Sequence, residues 1–506
     1  MIKKILAVMM SAVMILSFSQ LTFAADETTA TDIDYAIKNP YANVDWDTYG
    51  QYKTDLHTHT TFSDGGNPLP DMVERHYEYG FDAMAVTDHG TVNTGFTNQE
   101  FNAPMTLFSL IKNKGLYDDV LSESGTAANG NNYTVTFRDN DEYYAQEGER
   151  EMLRVPFGNE QNPTSFNNAH VNSFFVNYGD GVVGGTSNYV SPIKNVHARG
   201  GLSVINHPGE YTNARDEVYT EDAYNRDEFI YNYKIQRFIN LLKDYDSCIG
   251  IDINSKGDSR TRFDRKLWDI LLQEVVPAGR NVHAIATTDA HNLNIVDSGY
   301  TVMVLPELTS KNVRTAMEEG SFFAASSYVG NYDELLGYYN TLNASEDSEA
   351  KEFAAVIKTY VDQIALELAE GDQGTKFHVE DMSIPAPKVT NIVVDDDEDT
   401  ISVDTENALL VHWIADGEVI ATGNTIDLDD YSDKIGSYVR AEFFGKGGIM
   451  YSQAFMLDYE GAPEETDGGV FVDVGLVASA ICDTIVKALV AALEVPLTLL
   501  RKVLTK

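Results

Sequence analysis

Between residues 51 and 328, short apolar runs alternate with stretches whose apolar positions recur every three to four residues. The runs at 83–87, 202–206, 249–253 and 282–287 are short and rich in Val, Ile and Ala, as strands are; 71–79, 227–243 and 265–274 carry the helical period. Such alternation predicts an α/β fold with a parallel sheet, closed or open. Residues 91–150 break the rhythm with Asn-, Gly- and Asp-rich loops, a helix near 105–114 and a charged helix near 141–153, and are read as a large insertion. Residues 329–384 are read as a helical connector whose 349–370 stretch packs on the body through apolar positions at three-to-four spacing. From 385 to 460 the pattern turns β-rich, with segments at 389–394, 401–403, 408–414, 418–421 and 437–444. Asp416-Gly417 and residues 445–448 read as hairpin connections. This part is predicted to be a small all-β, sandwich-like domain.

The two ends differ from this body. Lys3-Lys4 precede an apolar run over residues 5–18, and Leu21-Thr22-Phe23-Ala24 offers a cleavage site, so residues 1–24 read as an export signal of a secreted or cell-envelope protein. Residues 25–50 read as a loose polar leader. Residues 469–506 are apolar almost throughout, and wound as a helix they leave only a narrow polar stripe of Asp483, Lys487, Glu494, Thr498 and Arg501. Attachment to a membrane surface or self-association is expected there, with folding back onto the protein as the alternative.

Charge and cysteines narrow the chemistry. A net charge of −42 over 506 residues disfavours a surface for long nucleic acid. The acidic run at 395–399 is read as a solvated loop. The 2 cysteines, Cys248 and Cys482, are too few for a thiolate zinc site, and Cys248 is read as a buried thiol. Any metal must therefore be held by His, Asp and Glu.

Those residues recur in order along the chain. Asp55-Leu56-His57-Thr58-His59 places two imidazoles at i and i+2, one face of a strand, with Ser63-Asp64-Gly65 following. Thr87-Asp88-His89-Gly90, Gly158-Asn159-Glu160, Ala169-His170-Val171 and Asn206-His207-Pro208 follow. Asp289-Ala290-His291 repeats the i, i+2 spacing with one carboxylate. Each stands at or just past the end of an apolar run, and in a (β/α) barrel those ends converge on one face. Six of the 11 histidines fall in these motifs; His76, His197, His283, His378 and His412 are read as surface or packing residues.

Six motifs in this order resemble the polymerase-and-histidinol-phosphatase (PHP) family of phosphoesterases, over residues 51–328. The β-rich region, around Ser437-Tyr438-Val439-Arg440, more weakly resembles the C-terminal module of secreted relatives. The resemblance implies a distorted (β/α)7 barrel holding two to three divalent metals (Zn, Mn or Fe). It implies that His57, His59 and Asp289 hold one metal, that Glu160 bridges to a second held by His170 and His207, and that Asp64, His89 and His291 hold a third. Asp55 and Asp88 are then expected to orient ligand imidazoles. Asp252 stands where many relatives carry Glu, which leaves its role, in support or in substrate contact, open. The implied reaction is hydrolysis of a small phosphomonoester or nucleotide by a metal-activated hydroxide. A phosphodiesterase, or a cell-surface binding protein with a vestigial PHP domain, are the alternatives. Arg260 and Arg262, in a basic cluster within an acidic chain, are the candidate substrate contacts.

Overall fold

The computed structural model describes residues 33–89, 95–96, 120–127, 130–138, 142–146, 150–156, 158–161, 169–176, 178, 189–212, 224 and 234–466. The export signal, the 105–114 helix and the 469–506 tail lie outside the described residues. Among those described, no helix is long and apolar enough to cross a membrane.

The apolar runs are strands: Ala83–Met84, Leu202–Ile205, Cys248–Asn254 and His283–Ala286, every residue of them buried. A strand covered on both faces has no polar alternation to show, so its sequence is an unbroken apolar run. The last three pair in parallel, with helices Gln236–Asp244 and Asp264–Val275 in the crossovers. Antiparallel Val171–Phe174 and Asn159–Gln161 complete a five-stranded sheet. In a second sheet Gly50–Asp55, Ala83–Met84 and Glu151–Arg154 run parallel, and antiparallel Gly299–Leu305 and Phe322–Ser326 continue it from Gly50–Asp55. The α/β elements are those expected, but among the described residues their main strands fall in two sheets rather than one closed barrel ladder, and Val120–Thr126 pairs with Asn132–Arg138 as a separate hairpin. The sheets meet where the site forms: Glu160 N donates to the Thr87 carbonyl at 2.9 Å, and Thr58 bridges Ala290 in parallel.

Two expectations are corrected and a third is extended. The charged helix at 141–153 is instead the antiparallel pair Tyr143–Ala145 and Glu151–Arg154. Met152 and Leu153 are both fully buried but in different core clusters. Neighbours that must point to opposite sides select a strand over a helix. The leader is tied down from residue 33: Ala36–Lys38 pairs with Phe455–Asp458, and Tyr35 and Tyr41 are buried. The acidic run is the solvated turn expected, exposed over residues 395–398, and it also serves that strand, because Asp399 and Asp396 accept the backbone N–H groups of Tyr35 and Ile37.

The β-rich region has the strands read from its pattern: Lys388–Asp395, Thr400–Glu406, Leu410–Ala415, Glu418–Thr422 and Tyr438–Gly445. Asp416 and Gly417 turn the third into the fourth with φ of +49° and +82°, the left-handed pair that a two-residue hairpin needs. Lys388–Asp395, Thr400–Glu406 and Thr425–Asp427 form a sheet of their own. Gly448–Tyr451, however, pairs with both Tyr438–Gly445 and Phe322–Ser326, so the β-rich part also extends the sheet that starts at Gly50–Asp55. Helix Ser348–Glu370, capped by Asp347 and ended by Gly371 at φ +79°, buries Ala350, Phe353, Ala354, Ile357, Val361 and Ile364 against the same core.

Candidate metal centre

The first motif leaves the Gly50–Asp55 strand and is locked to the last one: His59 N donates to the Ala290 carbonyl at 2.9 Å. His57 and His59 turn their Nε2 atoms to within 3.1 Å of each other. Gly65 allows the next turn. A Cβ there would stand 2.7 Å from the backbone carbonyl of His59, so only glycine lets the chain fold back. That turn sets Asp64 3.4 Å from both His59 and His291, and 3.6 Å from His89. His207 and Asp289 stand past their strand ends at φ of +26° and +45°. Such strain in non-glycine residues is retained at sites where a side chain must point one way.

Glu160 is the hub. Its Oε2 lies 3.2 Å from His59 Nε2 and 3.3 Å from His57 Nε2 and His89 Nδ1. Its Oε1 lies 2.7 Å from His170 Nδ1 and 3.3 Å from His207 Nε2. Asp289 mirrors it, with Oδ1 3.4 Å from His57, His59 and His291, and Oδ2 3.4 Å from His207. The structure thus brings all nine residues together, in four overlapping groups whose donor atoms lie within 4.8 Å of one another: His57–His59–Asp289, His57–Glu160–His207, His89–Glu160–His170 and His59–Asp64–His89–His291. The first two are buried throughout, whereas Asp64 and His291 are 42% and 33% exposed, so the cluster opens to solvent at that edge.

The donor set fits metal ions. Among the described residues, both ring nitrogens of His207 and Nδ1 of His57 are buried without a hydrogen-bond partner. Buried polar and charged groups are costly unless paired, hydrogen-bonded or coordinated to a metal. Burial pushes His170 down to about 4 and lowers His57 as well, whereas Asp289 and Glu160 beside His59, and Glu210 and Glu160 beside His207, outweigh burial and raise those two imidazoles. Burial works to raise Glu160 and Asp289, but His170, His57 and His89 around the first, and His57 and Lys256 around the second, hold both well below the usual carboxylate range.

The supporting carboxylates act less directly than expected. Asp88 accepts from Ser63 Oγ at 2.6 Å, and Ser63 Oγ lies 3.2 Å from His59 Nδ1, so it orients that imidazole through a hydroxyl. Asp55 accepts the N–H groups of His57 and Thr288, holding the backbone at both ends of the cluster. Its imidazole partner is His76, at 2.8 Å. His76 packs as expected, but its position with Leu69, Met72 and Val73 on the buried helix face already marked it as core.

Of the candidate substrate contacts, Arg260 alone is open, at 55% exposure. Arg262 is buried and donates to the Ser259 carbonyl, and Asp252 is buried with its carboxylate on Thr287 Oγ1 at 2.7 Å. Burial leaves neither a face for substrate; burial also pushes Asp252 up to about 7. Sequence reasoning missed Glu210 and Lys256. Lys256 Nζ lies 2.8 Å from Asp289 Oδ2 and 2.9 Å from Glu210 Oε1, and Glu210 Oε2 lies 3.7 Å from His207. The rule used for His207, a polar residue just past a strand end, also marks Lys256, two residues beyond Cys248–Asn254. Tyr211 was missed too; its hydroxyl shares a 3.0 Å hydrogen bond with His170 Nε2.

No curated protein matches the chain. Among solved structures, a two-domain protein from Bacteroides vulgatus ATCC 8482, containing a predicted PHP-like metal-dependent phosphoesterase, is similar at 14% identity and a TM-score of 0.34, over 81% of this chain and 88% of that one. PsfC from Pseudomonas syringae PB-5123 is similar at 13% identity and a TM-score of 0.29, over 62% of this chain and 99% of that one. The PHP domain family model matches residues 55–155, the span that runs from the first histidine pair to the strand before Glu160, and the chain therefore carries a PHP domain.

Proposed function

We propose that the protein is a multi-metal phosphoesterase that hydrolyses a small phosphomonoester or nucleotide, with Zn, Mn or Fe in up to three positions. The observation that carries this is Glu160, a buried carboxylate with five imidazoles within 3.3 Å of its two oxygens, the arrangement of a bridging ligand. When bound, the metals supply an acidified water and positive charge facing the phosphoryl oxygens. The chain's own residues hold and orient the site. His57, His59 and Asp289 make one position, Glu160, His170 and His207 a second, and Asp64, His89 and His291 a third at the open edge. Nine donors over three positions leave room for substrate. Asp88, through Ser63, and Asp55, through the backbone, keep the donors aimed.

A phosphodiester at the same site is the second reading. The exposure of Asp64 and His291 favours it, because an open edge accommodates a second ester arm. Donors at all nine positions speak against a vestigial domain on a surface-binding protein. The proposal extends to export, through residues 1–24, and to attachment at a membrane surface or to a second copy, through residues 469–506; cell fractionation with and without each segment tests both. For the chemistry, protein reconstituted with each metal should carry about two to three equivalents and hydrolyse p-nitrophenyl phosphate or its diester. Less than one equivalent after supplementation would refute the multi-metal reading.

A further inference from the structure

We propose that Lys256 is a substrate-binding residue that, with Arg260, receives the non-bridging oxygens of a terminal phosphoryl group and so selects phosphomonoesters over phosphodiesters. The proposal rests on the phosphoesterase reading and names its substrate class.

The backbone is bent to deliver this side chain. Lys256, Gly257 and Asp258 follow one another at φ of +52°, +60° and +53°, a left-handed run just past the Cys248–Asn254 strand. Lysine and aspartate occupy such angles only where their surroundings hold them. Here Arg265 grips the Asp258 carboxylate with two bonds of 3.0 Å, and Lys256 N donates to the Thr288 carbonyl beside Asp289. The ammonium reaches Asp289 at 2.8 Å and Glu210 at 2.9 Å, and Arg260 Nη1 lies 3.4 Å from the same Glu210 oxygen. Two cations thus converge on the rim of the metal cluster, in a chain with 36 Lys and Arg against 78 Asp and Glu.

Charge bookkeeping gives them a role. Lys256 and Arg260 face two carboxylates, Asp289 and Glu210. Asp289 also belongs to the His57–His59–Asp289 donor group, and a divalent ion there takes up its charge. Among the described residues, Lys256 and Arg260 then share Glu210 alone, which leaves one more positive charge than negative there. An ammonium carries three donors, so one remains after the two contacts seen. A phosphomonoester dianion brings one more negative charge, and one more free oxygen, than a diester monoanion. The surplus positive charge therefore stabilises the monoester more.

The test uses the full chain with K256Q and K256R. Both substitutes occupy the left-handed position with the same strain as lysine, so neither disturbs the turn more than the native residue. Three quantities are read on metal-reconstituted protein: metal content, the ratio of kcat/KM for p-nitrophenyl phosphate and bis-p-nitrophenyl phosphate, and the Kd for inorganic phosphate by calorimetry. In K256Q the monoester kcat/KM should fall about tenfold or more and the diester value less than about threefold. Phosphate binding should weaken about tenfold with metal content unchanged, and K256R should recover most of the loss. Equal losses on both esters, lost metal, or an unchanged phosphate Kd would overturn the proposal. If the native protein hydrolyses neither ester, the enzymatic reading fails by itself. The phosphate titration then decides Lys256 alone: tenfold weakening in K256Q supports it, and an unchanged Kd overturns it.

Discussion

Replacing Arg440 with methionine should cost the protein about 4 kcal/mol while leaving its metal site intact. Arg440 stands on the Tyr438–Gly445 strand of the β-rich region and Asp269 on the Asp264–Val275 helix of the α/β part. The guanidinium forks onto that carboxylate with two bonds of 2.7 Å and donates a third, also 2.7 Å, to Glu442. The side chains of Arg440 and Asp269 are only 3% and 6% exposed, so solvent screens the pair little. Removing one partner of a buried ion pair costs about 3–5 kcal/mol, because the other charge stays buried without compensation. Two facts place the loss within that range. Asp269 and Glu442 keep hydrogen bonds of 2.7 Å from Tyr438 and Tyr338, which limits it, and the stack of Arg440 over Trp268 at 4.6 Å is weakened, which adds to it. Asp269→Asn on the R440M background removes the orphaned charge and should recover about half. The assay is equilibrium denaturation followed by tryptophan fluorescence, with Trp268 in the α/β part and Trp413 in the β-rich part. A loss under about 1 kcal/mol, or separate transitions for Trp268 and Trp413 in otherwise native protein with the third tryptophan, Trp46, replaced by phenylalanine, would refute the reading that this pair joins the two parts into one body.

Other expectations follow from the same geometry. Glu160→Gln keeps the shape but loses the bridging charge, so metal analysis should show at least one equivalent lost and activity should drop about a hundredfold or more; full metal retention would remove Glu160 from the hub. Gly65→Ala drives a Cβ into the His59 backbone and should displace Asp64, weakening metal at the open edge about tenfold in a metal titration while the fold survives. His283 is buried, and burial lowers it from 6.5 to about 4. A base whose folded pKa is depressed loses stability as pH falls, because the unfolded chain takes up the proton first. H283Q should therefore lessen acid destabilisation by roughly 3 kcal/mol between pH 7 and pH 4, as read from urea midpoints; identical pH profiles would refute this.

The residues that the structure gathers into the candidate metal cluster were legible because they stand at fixed offsets in motifs, each at or just past the end of an apolar run. The β-rich strands were legible because their Asp-Gly and Gly-rich turns need left-handed angles that few other residues adopt. Residues 141–153 were misread because helical spacing in a charged stretch says nothing about Met152 and Leu153 entering different cores. Lys256 and Glu210 passed unnoticed because neither belongs to a ligand motif.

The chain by itself determined which side chains can bind metal, which segments are strands, and where the hairpins turn, since these follow from residue chemistry and local backbone geometry. Only the tertiary structure decided that His59 meets Ala290, that Glu160 becomes the hub for five imidazoles, that Lys256 and Arg260 reach the rim, and that Ala36–Lys38 pairs with Phe455–Asp458. Contacts between segments hundreds of residues apart depend on how two sheets pack and where their strand ends converge. No local pattern encodes that distance.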